Sequence, residues 1–272
     1  MEIKIGDLTV DLKLGADPEV FASHNGKLVS AHGMVKGTKE SPHPVSCGAI
    51  QVDGMALEFN IDASDTEETF VKNIMTVMQE LSSQLPSGVT VDITPTAEFG
   101  AAYIASQPIA AQELGCSSDI NAYTQQDNPK PNESAPFRTA AGHVHIGWTE
   151  GANEEDDEHL SCCYDLVKIF DLYLGVPSVL LDPDTKRRSL YGAAGAFRSK
   201  SYGAEYRVLS NFWLKSEGSM KWVYKQVTRA VTDYLEGFRV SGEEVICHAI
   251  NTSDVEAAKA LIKHHNLEMP YA

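Results

Sequence analysis

The sequence predicts an α+β fold, in which an antiparallel sheet is flanked by helices. Segments with alternating polar and apolar residues, typical of strands, occur in both halves of the chain, and amphipathic segments with helical spacing lie between and after them. The two kinds do not alternate regularly, so a doubly wound parallel sheet is not required. We expect one domain over residues 1–272, with a mainly helical part from about 219 to 272.

Four segments have the period-two pattern of strands: residues 3–14, 49–61, 142–148 and 205–213. The first should be a hairpin that turns at Gly6 and Asp7. The helical pattern is found in four further segments: residues 64–85, 160–174, 220–238 and 253–262. Ser64 with Glu67, and Ser253 with Glu256, have the spacing of capping boxes.

Two irregular segments remain. Residues 106–137 hold four prolines and many polar side chains, which predicts a long loop of the kind that covers an active site. The acidic run over residues 150–158 is interpreted as a solvated turn.

Composition excludes several functional classes. The 272 residues include 38 acidic and 22 basic side chains, a formal charge of −16, and 43 % of positions are hydrophobic. Such a chain should be folded, and its negative surface disfavours nucleic-acid binding. No run approaches the ~20 apolar residues of a membrane span, and the first residues lack the apolar run of a signal peptide. Five cysteines without a CxxC pair indicate a reducing compartment. We therefore expect a cytoplasmic protein.

Acidic residues lie in two segments whose surroundings resemble strands. Asp17 and Glu19 flank Pro18, so both should point to one face, and like charges so close repel unless a cation lies between them. Glu58 and Asn60 share the polar face of another strand. Asp53 precedes Gly54, which suits a turn. A polar turn would also explain the Asp17 segment, so the cation site is a hypothesis.

An imidazole pair and a basic segment complete the candidate site. His143 and His145 share a strand face at a spacing common in metal and phosphate contacts, although a solvated pair would have the same pattern. Residues 186–207 hold six of the 22 basic residues, namely Lys186, Arg187, Arg188, Arg198, Lys200 and Arg207. In an acidic chain this clustering indicates a bound anion, most simply phosphates; the alternative is a loop with surface ion pairs.

The order of these motifs resembles the glutamine synthetase and glutamate–cysteine ligase superfamily, most closely its phage-type carboxylate–amine ligases (amidoligases). The matching motifs are Gly-Ala-Asp-Pro-Glu-Val-Phe from Gly15, Asp-Gly-x-x-x-Glu-Phe-Asn from Asp53, Gly-His-Val-His-Ile-Gly from Gly142, and an Arg-rich loop that ends in Glu205-x-Arg207. The resemblance covers residues 12–215. It implies a curved antiparallel sheet whose concave face carries the acids and histidines, with helices outside.

The resemblance also implies roles for single residues. Magnesium ligands would be Asp17, Glu19, Glu58, His143 and Glu205; His145 would lie near the nucleotide phosphates; Arg198 would face the transferred phosphoryl group, and Arg207 would contact phosphate. We assign Lys186 and Arg188 to nucleotide binding as well. The second strand offers one clear glutamate, so two metal sites are expected unless Asp53 supplies another carboxylate.

The implied reaction is ATP- and magnesium-dependent condensation of a carboxylate with an amine through an acyl phosphate. A phosphotransferase on the same sheet, a nucleotide-independent metal hydrolase built on the histidines, and a non-catalytic binding protein are the alternatives. The substrates would be a small-molecule or peptide carboxylate and amine, in the cytoplasm of a bacterium or a phage-infected host. Nothing in the sequence names either substrate or decides whether the chain forms a homo-oligomer.

Overall fold

A computed structural model describes residues 1–6, 8–112, 119–129 and 135–270. It contains antiparallel sheets with helices packed on them, which confirms the α+β prediction. The strands are β1 (Glu2–Ile5), β2 (Leu8–Asp11), β3 (Lys13–Ala16), β4 (Glu19–His24), β5 (Lys27–Val29), β6 (His43–Val45), β7 (Gly48–Asp53), β8 (Ala56–Ile61), β9 (Val89–Asp92), β10 (Thr96–Ala97), β11 (Ile120–Asn121), β12 (Gln126–Asp127), β13 (Arg138–Thr139), β14 (Val144–Gly147), β15 (Ala196–Lys200) and β16 (Gly203–Tyr206).

The helices are α1 (Glu67–Gln84), α2 (Ala101–Ala105), α3 (Ile109–Gln112), α4 (Asp157–Phe170), α5 (Val176–Leu181), α6 (Glu217–Leu235), α7 (Glu243–Thr252) and α8 (Val255–His264). A π-helical turn, Asp171–Gly175, joins α4 to α5, and 3-10 turns cover Arg187–Ser189 and Asn211–Lys215. Over the described residues, no helix is both long enough and apolar enough to cross a membrane.

Two larger sheets share the segment around Pro18. The first sheet has the strand order β5-β4-β8-β7-β6, with β9 also paired to β4, and the second has the order β12-β11-β15-β16-β14-β3. The chain leaves the second sheet after Ala16 and enters the first at Glu19. There the Glu19 N–H donates to the Ala141 carbonyl at 2.9 Å. Asp17 and Glu19 are therefore held where the two sheets meet.

Each sheet buries one face against helices. In the second sheet Val144, Tyr206 and Phe197 are cross-strand neighbours and are fully buried. Helix α4 packs behind them, whereas α1 packs behind the first sheet and also contacts α6. Because side chains alternate along a strand, the residues between these apolar positions face the other side. The candidate site lies on that second face.

A close backbone contact fixes the start of β14. A Cβ added at Gly142 would lie 2.2 Å from the Ser210 carbonyl oxygen, and the buried Trp213 indole donates to the Gly142 carbonyl at 3.1 Å. Only glycine fits there. This contact sets the position of His143, the next residue.

Two of the predicted strands are wrong in extent. Residues 49–61 are a hairpin of β7 and β8, because Gly54 adopts a left-handed φ of 59° in a two-residue turn. Residues 205–213 leave the sheet after Tyr206, since Ser210 instead caps the turn Asn211–Lys215 through the Phe212 N–H. The predicted hairpin β1–β2 and strand β14 are confirmed.

All four predicted helices are present, and α2, α3, α5 and α7 are additional. The residue that caps α1 is Thr66, whose side chain accepts from the Thr69 N–H, and not Ser64. Asp254 caps α8. Helix α7 buries Ile246, Ala249 and Ile250.

The predicted cover loop is only partly described. Its described residues form α3, β11 and β12, so the segment is not wholly irregular. Residues 113–118, which include Cys116, and residues 130–134 lie outside the described residues, as does the predicted turn residue Asp7.

Candidate active site

The strand register brings three predicted site residues into one row. In the second sheet His145 of β14 is the direct neighbour of Glu205 of β16, and Glu205 is the direct neighbour of Arg198 of β15. Direct neighbours project to the same face of a sheet. An imidazole, a carboxylate and a guanidinium therefore line one face, next to Asp17 at the end of β3.

Asp17, His145 and Glu205 can hold a cation. One ligand atom from each lies within 4.8 Å of the other two, and His145 Nε2 lies 3.0 Å from Asp17 Oδ1. Both of these atoms are shielded from solvent, and neither makes a hydrogen bond of acceptable geometry. Two carboxylate oxygens and an imidazole nitrogen suit a divalent cation. The residues present therefore fit a magnesium or manganese ion.

The charged groups of this cluster shift the pKa values of its two carboxyl groups. Burial acts to raise the pKa of Asp17, but His145 and His143 outweigh it and hold that pKa well below its usual range. Burial and Asp17 act to raise the pKa of Glu205, but Arg207 and the two imidazoles outweigh them and lower it to about 2. Both carboxylates are therefore ionised. Burial acts to lower the pKa of His145, but Asp17 outweighs it and raises that pKa, so a bound cation would displace the proton of His145.

His143 lies beside the cluster and has a second partner. Its Nδ1 is 3.1 Å from Arg207 Nη1 and 3.4 Å from Asp17 Oδ1. Burial and Arg207 lower the pKa of His143, although Asp17 and Glu205 act to raise it. Both imidazoles of the predicted pair thus reach Asp17, although His145 completes the three-residue cluster.

Tyr202 orients His145 and was missed from the sequence. The Tyr202 hydroxyl contacts His145 Nδ1, which leaves Nε2 directed at Asp17. Such a partner fixes the ring of a metal-binding histidine. Tyr202 lies in the turn between β15 and β16, and no spacing rule connects it to His145.

The basic residues of β15 and the segment after β16 surround the carboxylates. Arg207 is 3 % exposed; its Nε lies 2.5 Å from Asp119 Oδ1, and its Nη1 contacts Glu205. Lys200 Nζ is 3.1 Å from Glu205, and Arg198 is 3.9 Å from both Glu205 and Asp119. Asp119, a further site residue missed from the sequence, fixes the orientation of Arg207.

Glu19 and Glu58 form a second acidic group on the first sheet. They are direct neighbours across β4 and β8. Glu19 accepts from the Ala141 N–H at 2.9 Å, and Glu58 accepts from Gln51 Nε2 at 2.7 Å. Burial and Asp53 raise the pKa of Glu19 to about 7, and burial, Asp17 and Glu19 raise that of Glu58 well above its usual range. A cation between these carboxylates would relieve this repulsion.

Two residues predicted to bind the nucleotide contact other parts of the molecule. Arg188 donates to Ser178 Oγ of α5 at 2.9 Å and to Ser253 Oγ at 3.3 Å, on the helical side of the sheet. Lys186 is 57 % exposed and pairs with Glu98. The residue between them, Arg187, is buried instead and donates to the carbonyl of Val208, at 2.8 Å, and to that of Arg207. The sequence could not show which basic residue turns inward.

A cavity of about 640 Å³ opens beside the cation cluster. Asp17, Glu58 and His145 form its inner wall, and Trp148 and Tyr202 lie on the side of β14 and β16. This volume is within the range of pockets that bind small molecules and cofactors, about 300–1,000 Å³. A ligand in this cavity would reach both acidic groups.

Residues 135–243 match the profile of a protein family described as "Phage phiEco32-like COOH.NH2 ligase-type 2". The resemblance to carboxylate–amine ligases that the motifs predicted is thereby confirmed. The matched segment includes both histidines, Arg198, Glu205 and Arg207. Asp17, Glu19 and Glu58 precede it, and their place in the site is given by the strand register described above.

Three solved structures resemble the chain, each at low identity. One is described as "GmaS/ADP complex-Conformation 1", with 12 % identity, a TM-score of 0.42, and coverage of 94 % of this chain and 69 % of that chain. A "novel glutamine synthase homolog" has 11 % identity, a TM-score of 0.37, and coverage of 94 % and 67 %. A "bifunctional glutathione synthetase from Pasteurella multocida" has 11 % identity, a TM-score of 0.40, and coverage of 94 % and 49 %. The comparison with curated proteins finds no match.

Proposed function

We propose that the protein is a ligase that joins a carboxylate to an amine, that it uses ATP and magnesium, and that an acyl phosphate is its intermediate. One observation carries the proposal. The cation cluster of Asp17, His145 and Glu205 shares a sheet face with Arg198 and Arg207, beside a cavity large enough for a nucleotide. The family match over residues 135–243 supports the coarser conclusion, a carboxylate–amine ligase.

Two groups of side chains would hold divalent cations. Asp17, His145 and Glu205 form one, and Glu19 with Glu58 forms the other. Bound magnesium would neutralise polyphosphate oxygens and fix the orientation of the terminal phosphoryl group. This donor chemistry supports a metal-dependent nucleotide site.

The arginines supply the positive charge for phosphoryl transfer. Arg207 is held by Asp119 and Glu205, so its guanidinium is fixed before a ligand binds. Arg198 lies at the outer side of the same row and is 26 % exposed, so it can face a bound ligand. Preorganised cations at a point where negative charge accumulates are a major source of catalysis in phosphoryl transfer.

In the proposed reaction a carboxylate oxygen of the acid attacks the γ-phosphorus of ATP, and the bond to the β–γ bridging oxygen breaks to release ADP. The amine nitrogen then attacks the acyl carbon, inorganic phosphate leaves, and the nitrogen loses a proton to give the amide. The acids and arginines position the reactants for both steps.

A thioester route has little support from the described cysteines. Burial raises the pKa of all four thiols, which belong to Cys47, Cys162, Cys163 and Cys247. A raised pKa keeps a thiol protonated and weakly nucleophilic at neutral pH. The acyl phosphate is therefore the proposed intermediate.

The experiment is incubation with ATP, magnesium and a panel of small-molecule and peptide acids and amines, followed by measurement of ADP and product mass. We expect ADP release that depends on an acid and an amine together, and a product of amide mass. A stable phosphorylated acid would instead identify a phosphotransferase, and turnover without ATP would identify a hydrolase.

A further inference from the structure

The helix behind the second sheet contains a π-helical turn. Helix α4 ends at Phe170, the turn Asp171–Gly175 follows, and α5 continues from Val176. All five residues of the turn are buried. Such turns are uncommon and are frequent at functional sites, because they displace side chains from the regular helical positions. Asp171 is the first residue of this turn.

Asp171 is bonded to both strands that carry the site. Its Oδ1 accepts from the Tyr206 hydroxyl at 2.7 Å, and its Oδ2 accepts from the Gly195 N–H at 2.6 Å. Tyr206 lies between Glu205 and Arg207, and Gly195 immediately precedes β15. One fully buried carboxyl group thus connects the end of β16 to the start of β15.

The backbone makes room for both bonds. Gly195 has a φ of 79°, and a Cβ there would lie 2.7 Å from the Tyr123 ring. A Cβ on Gly175, in the π turn itself, would lie 2.9 Å from the Tyr206 hydroxyl. A side chain at either glycine would force one partner of Asp171 away.

This arrangement has an energetic cost. Burial raises the pKa of Asp171 to about 7, even though Tyr206, Tyr123 and the Gly195 N–H favour the ionised form. A buried polar group costs stability unless its bonds compensate, and an apolar side chain would fill the same space without that cost. The need to hold its two partners in position would explain why a buried aspartate occupies position 171.

We propose that Asp171 is a positioning residue that holds β15 and β16 in the register that sets Arg198 against Glu205 and places Arg207. Phe197 pairs with Tyr206, and Arg198 pairs with Glu205, one step further along the ladder. Because Asp171 fixes the Tyr206 end of this ladder, it limits sliding of the two site strands. The inference rests on the proposed function only in taking this face as the active site.

The test removes one hydrogen bond to Asp171 and compares the effect with that of a matched control variant. Tyr206→Phe removes the hydroxyl that binds Asp171. Tyr173→Phe removes a similar bond between a tyrosine of the same π turn and Asp233 of α6, a helix that packs on α1, α4 and the π turn. Asp171→Asn is a second variant, since it preserves the shape but offers one acceptor in place of two.

Two readouts are needed. Hydrogen–deuterium exchange measures the protection of peptides from residues 194–208, and electron paramagnetic resonance measures the affinity for Mn²⁺ alone. We expect faster exchange and a loss of about tenfold in Mn²⁺ affinity for Tyr206→Phe, a loss typical of groups that orient metal ligands. Asp171→Asn should change both readouts in the same direction, and Tyr173→Phe should change neither.

Unchanged Mn²⁺ affinity in Tyr206→Phe and Asp171→Asn would overturn the inference, as would an equal loss in the Tyr173→Phe control. Titration of the Mn²⁺-loaded wild type with ATP separates the two proposals. Mn²⁺ binding without ATP binding would refute the proposed function, while the comparison of Mn²⁺ affinities would still decide the role of Asp171. A wild type that binds no Mn²⁺ would contradict both.

Discussion

Glu58 lies directly opposite Glu19 on neighbouring antiparallel strands, so two carboxyl groups point to the same side of the first sheet. Each accepts a hydrogen bond, from Gln51 and from the Ala141 N–H respectively, and burial raises the pKa of both. Like charges directly opposite each other destabilise a sheet. The pair is therefore unfavourable for folding alone and favourable for cation binding.

Glu58→Gln should separate these two effects. The amide keeps the shape and can still accept from Gln51, but it removes one of the two like charges. We expect the free energy of unfolding of the metal-free variant to be roughly 0.5–1 kcal/mol higher than that of the wild type. Its Mn²⁺ affinity should fall at least tenfold, about 1.4 kcal/mol. Denaturant unfolding and calorimetry measure the two quantities.

Glu236→Gln is the matched control, because it removes the same charge from an exposed position at the end of α6. It should change neither quantity. If Glu58→Gln binds Mn²⁺ as tightly as the wild type, the Glu19–Glu58 pair is not a cation site.

Arg198→Lys and Arg207→Lys test the phosphoryl contacts. Lysine replaces the planar guanidinium by a point charge and cannot form the same paired contacts. Loss of one contact to transition-state charge costs roughly 3–4 kcal/mol, or about 100–1,000-fold in kcat. Arg207→Lys should also lower the melting temperature, since Arg207 is buried against Asp119 and Glu205. Arg198 is partly exposed, so its variant should fold normally.

Arg229→Lys provides the comparison for these variants. Arg229 is 35 % exposed on α6, pairs with Asp233, and is not one of the residues assigned to the candidate site. Turnover with ATP should be unchanged in this variant. Wild-type turnover in both Arg198→Lys and Arg207→Lys would move the reaction to another part of the molecule.

Arg188→Ala tests whether Arg188 binds the nucleotide, as the sequence predicted, or stabilises the fold, as its contacts indicate. The Arg188 guanidinium bonds to Ser178 and Ser253, so its removal should lower the free energy of unfolding by about 1.5–3 kcal/mol. The KM for ATP should stay within twofold of the wild-type value. A tenfold rise in KM without loss of stability would show that Arg188 binds the nucleotide after all.

Asp171 should make the stability depend on pH. Its pKa is raised from an ordinary value near 4 to about 7 by burial, so between these values the folded chain retains a proton that the unfolded chain has lost. Stability therefore falls as pH rises through this window, by up to about 4 kcal/mol. Urea unfolding at pH 5 and pH 8 should show a smaller difference for Asp171→Asn than for the wild type.

The neighbours of Asp171 do not titrate in that window. The groups that face it are Tyr123, Tyr206 and Cys247; burial raises the pKa of each, that of Cys247 to about 11. Arg188, near Tyr206, stays charged throughout. An identical pH dependence in Asp171→Asn and the wild type would mean that Asp171 has an ordinary pKa.

The sequence predicted the parts of the site that local patterns encode. Alternation predicted that His143 shares a face with His145 and that Glu205 shares a face with Arg207; in the structure both imidazoles reach Asp17, and Arg207 contacts Glu205. The same rule predicted one strand face for Asp17 and Glu19, but Asp17 lies between β3 and β4 and belongs to the cation cluster, whereas Glu19 pairs with Glu58 on the first sheet. The two histidines, and Glu205 with Arg207, are the pairs that local pattern encodes. These pairs follow from the two-residue period of a strand, which needs no knowledge of the fold.

Residues that approach from other segments could not be predicted in this way. Tyr202 reaches His145 from a turn, and Asp119 reaches Arg207 across 88 residues of sequence. Arg187 and Arg188 are adjacent, yet one contacts the site strand and the other the helices. The direction of each arginine side chain depends on how the short 3-10 turn packs, and no periodicity in the sequence predicts that packing.

The proposed acyl phosphate is tested most directly by an isotope transfer. The acid substrate carries oxygen-18 in its carboxylate, and the reaction with ATP, magnesium and the amine is followed by mass spectrometry of the phosphate. We expect one labelled oxygen in inorganic phosphate for each amide formed, because the carboxylate oxygen stays on phosphorus when the amine displaces the phosphate. Label in AMP, or amide formation with unlabelled phosphate, would contradict it.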